Sequence, residues 1–205
     1  MVRKLSVAAG VALAFAGASV QAKDFEALLK GDYAFSGEAT CLVSVGGFDA
    51  DLTPVDAPAP FPRVQSFTVN GVRTFNGDGT GRVAARVVTL AHPFALPTAP
   101  TPIFNRGGAG SIDIESDFTY TVTPDLEVSV QTPLITGTVL TGTRAGQTMA
   151  ITNLPLFQGR LSANRQALTL AHDEPGVEHH TFSNGDSDFR ICHRSRIFLE
   201  RRTSK

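Results

Sequence analysis

The chain has 205 residues, with 18 Lys and Arg against 19 Asp and Glu and a formal charge of −1. That balance gives no electrostatic footing for nucleic acid, which needs a surplus of cations. Nineteen Gly, twelve Pro and no Trp, with frequent Thr and Val, favour strands and turns over helices.

Arg3 and Lys4 make a short positive segment, residues 5–20 are apolar, and Val20-Gln21-Ala22 sets small side chains where a signal peptidase cuts. Residues 1–22 are therefore expected to be a signal peptide cleaved after Ala22. The mature chain, 23–205, then keeps sixteen cations against nineteen anions, a charge of −3. Its length suits one domain. The expected location is periplasmic or secreted, where cysteines meet an oxidising compartment. After the signal no apolar run approaches the ~18 residues of a transmembrane helix.

Phe25, Leu28 and Leu29 fall on one side of a short helical spacing that Gly31 stops, predicting a one- or two-turn N-terminal helix. From Asp32 the period becomes two, so Tyr33, Phe35, Cys41 and Val43 share one face of a first strand. Prolines make 53–62 a loop. Residues 64–75 and 82–91 flank Asn76-Gly77-Asp78-Gly79-Thr80-Gly81, a strong hairpin signal. Residues 93–110 form a second proline-rich loop that carries apolar residues, a candidate lid.

Short strands follow at 111–122, 126–131, 134–143, 147–152, 156–162, 167–171, 177–182 and 187–201, separated by Pro, Gly, Asn and Asp turns. The fold class expected is all-β, an antiparallel up-and-down β-barrel of about 8–10 strands, because sequence-adjacent hairpins give that order with the fewest assumptions. In layout the chain resembles the calycin group of secreted barrels, which includes the lipocalins. The likeness rests on the short N-terminal helix, the strand opening at Gly31-Asp32-Tyr33, the consecutive hairpins and the late Cys192. It implies an interior used for small, mostly apolar ligands.

Cys41 lies in the first strand and Cys192 in the last, which are neighbours in a closed barrel, so a bridge closing about 150 residues is expected. Two separate thiols are the alternative. Alternation conflicts with the bridge, since Cys192 shares its face with Arg190, Arg194 and Arg196 whereas the apolar face is Phe189, Ile191, Ile197 and Leu199. A bulge near Cys192 or a bridge at the rim would remove the conflict. Failing both, Arg194 and Arg196 point inward and the cavity suits an anion. The cations at 190, 194, 196, 201, 202 and 205 otherwise read as a solvated C-terminus.

Asn76, Asp78 and Thr80 alternate as calcium ligands would, but Val87 stands where the last acidic ligand is needed, and a plain hairpin is favoured. His172, one of His179 and His180, and His193 could converge on a metal, although nothing in their spacing requires it. No G-x-S-x-G elbow is present. The leading expectation is an exported barrel binding a small hydrophobic or amphipathic molecule without a cofactor, lined by Phe35, Phe67, Val69, Phe118, Tyr120, Ile191 and Ile197, with His193 as a polar group. The runner-up is a cyclase- or isomerase-like barrel enzyme using His193, Glu178 and Tyr120. Further alternatives are an envelope structural protein with a filled interior and an outer-membrane barrel.

Overall fold

The computed structural model describes residues 25–55, 62–96, 103–105 and 107–200. The expected signal peptide and cleavage site lie outside these residues, as does part of the expected lid. Every sheet pairing is antiparallel, and the alternating segments form strands close to their expected limits. Five strands are long: β1 (Lys30–Ser44), β2 (Arg63–Asn76), β3 (Thr80–Ala91), β6 (Gly108–Val122) and β13 (Ser187–Glu200). Between β3 and β6 a small separate hairpin pairs β4 (Phe94–Leu96) with β5 (Ile103–Asn105). The other six strands have five to seven residues: β7 (Glu127–Gln131), β8 (Ile135–Thr141), β9 (Thr148–Thr152), β10 (Phe157–Leu161), β11 (Ala167–His172) and β12 (Val177–Phe182).

The sheet has eleven strands in the order β1-β2-β3-β6-β7-β10-β11-β13-β12-β9-β8, with β1 also paired to β13 and β6 to β8. The up-and-down order expected from sequence adjacency is therefore corrected to a two-tier one. Thr119–Val122 of β6 pair with β7 while Ser111–Glu115 pair with β8. Residues 195–199 of β13 pair with β11 while 187–191 pair with β12. One ring of eight strands thus closes through β7, β10 and β11, and a second through β8, β9 and β12, with the five long strands common to both.

Proline explains where the short strands change tier. Pro133 lies between β7 and β8, Pro155 between β9 and β10, and Pro175 between β11 and β12. Each of these connections crosses from one tier to the other, and a residue without an N–H cannot continue the ladder it leaves. Of the hairpins that stay within a tier, β8–β9 and β10–β11 turn without proline through Gly142 to Gly146 and Ser162 to Gln166, whereas the β6–β7 turn holds Pro124 and keeps its pairing. Two crossings touch: a Cβ added at Gly176 would stand 2.6 Å from Pro155 Cγ.

The β7–β10–β11 tier is the packed end. Phase-matched side chains of β1, β2 and β6 bring Tyr33, Phe75, Phe118 and Tyr120 together, with Phe75 5.0–5.4 Å from the other three ring centroids. Leu168, Leu170, Val128, Val130 and Phe198 complete this core. The expected N-terminal helix is a single 3-10 turn, Glu26–Leu28. It closes this end because the Tyr120 hydroxyl donates to the Leu29 carbonyl at 2.7 Å, while the Gly77 N–H donates to that hydroxyl at 2.9 Å. The 76–80 segment is a plain hairpin: Gly77 and Gly79 have φ of 84° and 85°, and Asp78 accepts from Thr80.

Cys41 and Cys192 are directly opposed on β1 and β13, Cα atoms 4.1 Å apart, and form a disulfide. Neither a bulge nor a rim position is involved. The conflict resolves the other way: the inward face of β13 is Asp188, Arg190, Cys192, Arg194, Arg196 and Phe198, all buried. Ile197 and Leu199, read as interior from their apolarity, are 61% and 59% exposed.

Candidate ligand-binding cavity

Beyond the packed end, in the β8–β9–β12 tier, the ring encloses a cavity of about 600 Å³. Its two sides differ in chemistry. Alternation on β6, β8 and β9 sends Ile112, Ile135, Val139, Met149 and Ile151 inward, and Leu154 joins them to make an apolar wall. Facing it, β13 contributes Arg190, Arg194 and Arg196 and β2 contributes Arg73 at the inner end. The Phe67 ring lies 5.5–5.7 Å from the guanidinium carbons of all three β13 arginines, an arrangement in which its face attracts cations.

Glu178, fully buried on β12, holds two of these arginines. Arg190 Nε donates to Glu178 Oε2 at 2.7 Å, and Arg194 engages the carboxylate with both terminal nitrogens, NH2 to Oε2 at 2.6 Å. Arg196 NH1 donates to the backbone carbonyls of Glu38 at 2.9 Å and Ser195 at 2.7 Å. Gly37 makes room for it, since an added Cβ would stand 2.7 Å from Arg196 NH1. Arg73 differs: its Nε and NH1 are buried with no hydrogen-bond partner. The guanidinium instead lies 4.6 Å from the Phe118 ring and 5.4 Å from that of Phe198.

At the mouth Asp188 accepts from Arg63 at 3.1 Å, and Arg144 stands 3.6 Å from the same carboxylate and 3.3 Å from Asp186. His180 sits between two acids, Nδ1 3.8 Å from Asp188 and Nε2 3.7 Å from Glu178, too far for hydrogen bonds. Its Nε2 is buried without a partner.

Burial dominates the electrostatics. It lowers Arg73 to about 9, with Arg196 adding repulsion, and lowers Arg190 to about 9 and Arg196 to about 10. These values leave all three cationic at neutral pH. Burial also holds His172 down to about 4 and His180 well below its usual range, so both are neutral there. Four buried arginines, 73, 190, 194 and 196, face two buried acids, 178 and 188, leaving a surplus of two cations inside.

Of the residues expected to line a ligand site, Phe35, Phe67 and Val69 border the cavity. Phe118 and Tyr120 belong to the packed end. Ile191, His193 and Ile197 are on the outward face of β13, so their assignment to the interior is corrected: alternation places their neighbours 190, 194 and 196 inside. The same finding corrects the reading of those arginines as a solvated terminus. The proposed enzymatic trio is likewise not brought together, as His193 is exposed, Tyr120 is bonded at the capped end and Glu178 is engaged by arginines. His172 and His180 are on inward faces, away from His193, and no group of three or more potential ligands among His, Cys, Asp and Glu occurs among the described residues.

Arg73 and Asp188 were missed as site residues because charge in a strand reads as solvent-facing. The signal that could have found the β13 arginines is the disulfide itself, since an inward Cys192 fixes the parity of the whole strand. Comparison of the chain with protein-family models, curated proteins and solved structures found no match.

Proposed function

We propose that this chain is an exported, calycin-like barrel that binds a small amphipathic molecule inside the strand ring. The observation that carries the reading is the cavity of about 600 Å³, within the size range of small-molecule sites, with an apolar wall and a polar wall facing each other. The disulfide fits an oxidising, extracytoplasmic location. Charge on the outer face supports a water-facing ring: Arg82 pairs with Glu115 at 2.5 Å and Arg86 with Asp113 at 2.7 Å across β3 and β6. A lipid-facing strand would carry an apolar band at those positions.

The test is titration of the oxidised protein with the neutral fluorophore N-phenyl-1-naphthylamine, together with native mass spectrometry of material taken from the exporting cell. Saturable enhancement at one probe per chain, competed by the co-purified compound, is the expected result. Enhancement that never saturates, or none at all, rejects the carrier.

A further inference from the structure

We propose that the ligand is an amphipathic anion held head-inward, its carboxylate or equivalent oxyanion received by Arg73 beside Arg196 at the inner end of the cavity and its apolar part against the β8–β9 wall. This rests on the carrier reading above and specifies the ligand class. Among the four interior arginines, Arg73 is the one with buried donors that have no hydrogen-bond partner. Arg190 and Arg194 are engaged by Glu178, and Arg196 NH1 by two backbone carbonyls. Arg73 has 7% of its surface exposed, borders the cavity, and keeps Nε and NH1 buried without acceptors.

Aromatic faces attract its charge, but they leave those N–H groups unfilled. A buried cation with open donors costs stability, and arginine cannot escape the cost by losing its proton. An oxyanion placed there would satisfy the donors and offset part of the two-cation surplus. The opposite wall is mainly apolar, Ile112, Ile135, Met149 and Ile151; its polar side chains Thr132, Thr141 and Gln147 are neutral, and Arg144 at its rim faces Asp186 and Asp188, so none of them offers the anion an open cationic seat.

The experiment displaces bound N-phenyl-1-naphthylamine from the oxidised protein with dodecanoate and, separately, with dodecanol, in the wild type and in Arg73→Met. Dodecanoate is expected to displace the probe from the wild type at a concentration at least tenfold below that of dodecanol, the worth of charge-assisted hydrogen bonds. In Arg73→Met that preference disappears while dodecanol binding is retained. The methionine keeps the apolar stem and removes an unpaired buried charge, so the variant is expected to fold. Should it not, Arg73→Lys, which keeps the charge and loses donors, is expected to reduce the preference at least threefold.

Equal displacement of the wild type by the two ligands overturns the inference, as does a preference that survives the loss of Arg73. If the probe binds and neither ligand displaces it, the anion assignment falls and the carrier stands. If the probe itself does not bind, the carrier reading falls and takes this inference with it.

Discussion

The two ends of the ring are walled by the same five long strands and filled differently. At the capped end buried apolar side chains pack into one core, and Tyr33, Phe75, Phe118 and Tyr120 close on one another under the 3-10 turn. At the open end the inward positions of β13 and β2 carry arginines, which stay apart from the apolar wall across the cavity. One backbone pattern therefore supports a core at one end and a binding space at the other. The choice is made by side-chain chemistry, because mutually repelling cations do not collapse onto each other as aromatic rings do.

The sharpest way to break this comparison is to damage each end separately. Phe75→Ala, at a position 1% exposed, is expected to cost about 3–5 kcal/mol of unfolding free energy, the usual penalty for deleting a buried aromatic ring, while leaving probe binding within a factor of about three. Glu178→Gln should cost about as much, roughly 3–5 kcal/mol, because it strands two buried guanidinium groups. Unlike the first, it should also tighten dodecanoate binding by raising the interior charge. Urea denaturation read beside probe titration separates the two outcomes, and a binding loss in Phe75→Ala equal to that in a cavity variant would erase the distinction between the ends.

The disulfide joins the long strands common to both tiers, so its removal should weaken both together. Replacing Cys41 and Cys192 by Ala at once, which leaves no stray thiol, is expected to lower stability by about 2–4 kcal/mol. The two cysteines are 151 residues apart in sequence, so the bridge closes a loop over most of the unfolded chain. Hydrogen exchange should show β7–β10–β11 and β8–β9–β12 loosening alike. Protection lost in one tier alone would contradict a shared frame.

These two ends were unequally legible in the sequence. Period-two alternation and Gly, Asn and Asp turns located the strands, and the packed end follows because Tyr33, Phe75 and Tyr120 obey the ordinary rule that apolar faces turn inward. The neighbouring positions of Cys41 and Cys192 followed from closing first strand to last. The open end breaks the rule. On β13 the apolar set Ile197 and Leu199 faces water and the arginine set faces the cavity, so hydrophobicity gave the wrong parity. The tier changes were illegible for another reason: a proline ends a ladder without saying which half of β6 or β13 the next strand joins.

Acid should weaken both ends, and more gently, because each tier holds one inward histidine, His172 on β11 and His180 on β12. His172 packs 4.2 Å from Phe157, and burial holds it at about 4 in the folded chain, with Arg194 the next cause. Its unfolded value is near 6.5, so between these limits the unfolded chain binds the proton and the folded chain does not. The stability it contributes is complete above pH 6.5 and is lost as the pH falls toward 4. His180, shifted in the same direction, adds to the loss. Melting temperature should decline from pH 7 to 5, above the range of ordinary carboxylates, and His172→Gln should flatten that decline. An unchanged slope would remove His172 from the account.

The smallest effect expected is at the seam between tiers. Gly176 in the β11–β12 crossing faces Pro155 in the β9–β10 crossing, and a Cβ there would stand 2.6 Å from the proline Cγ. Gly176 does not have a positive φ, unlike Gly185 in the adjoining hairpin at 89°, so an alanine is opposed by crowding and not by the backbone. Gly176→Ala should therefore cost about 1 kcal/mol, the low end for overpacking, since a proline ring at a crossing can shift by tenths of an ångström. Pro155→Ala should relieve most of it, and a double-mutant cycle in urea measures the coupling. Additive costs would mean that the two crossings are independent and that the tiers are held in line by the long strands alone.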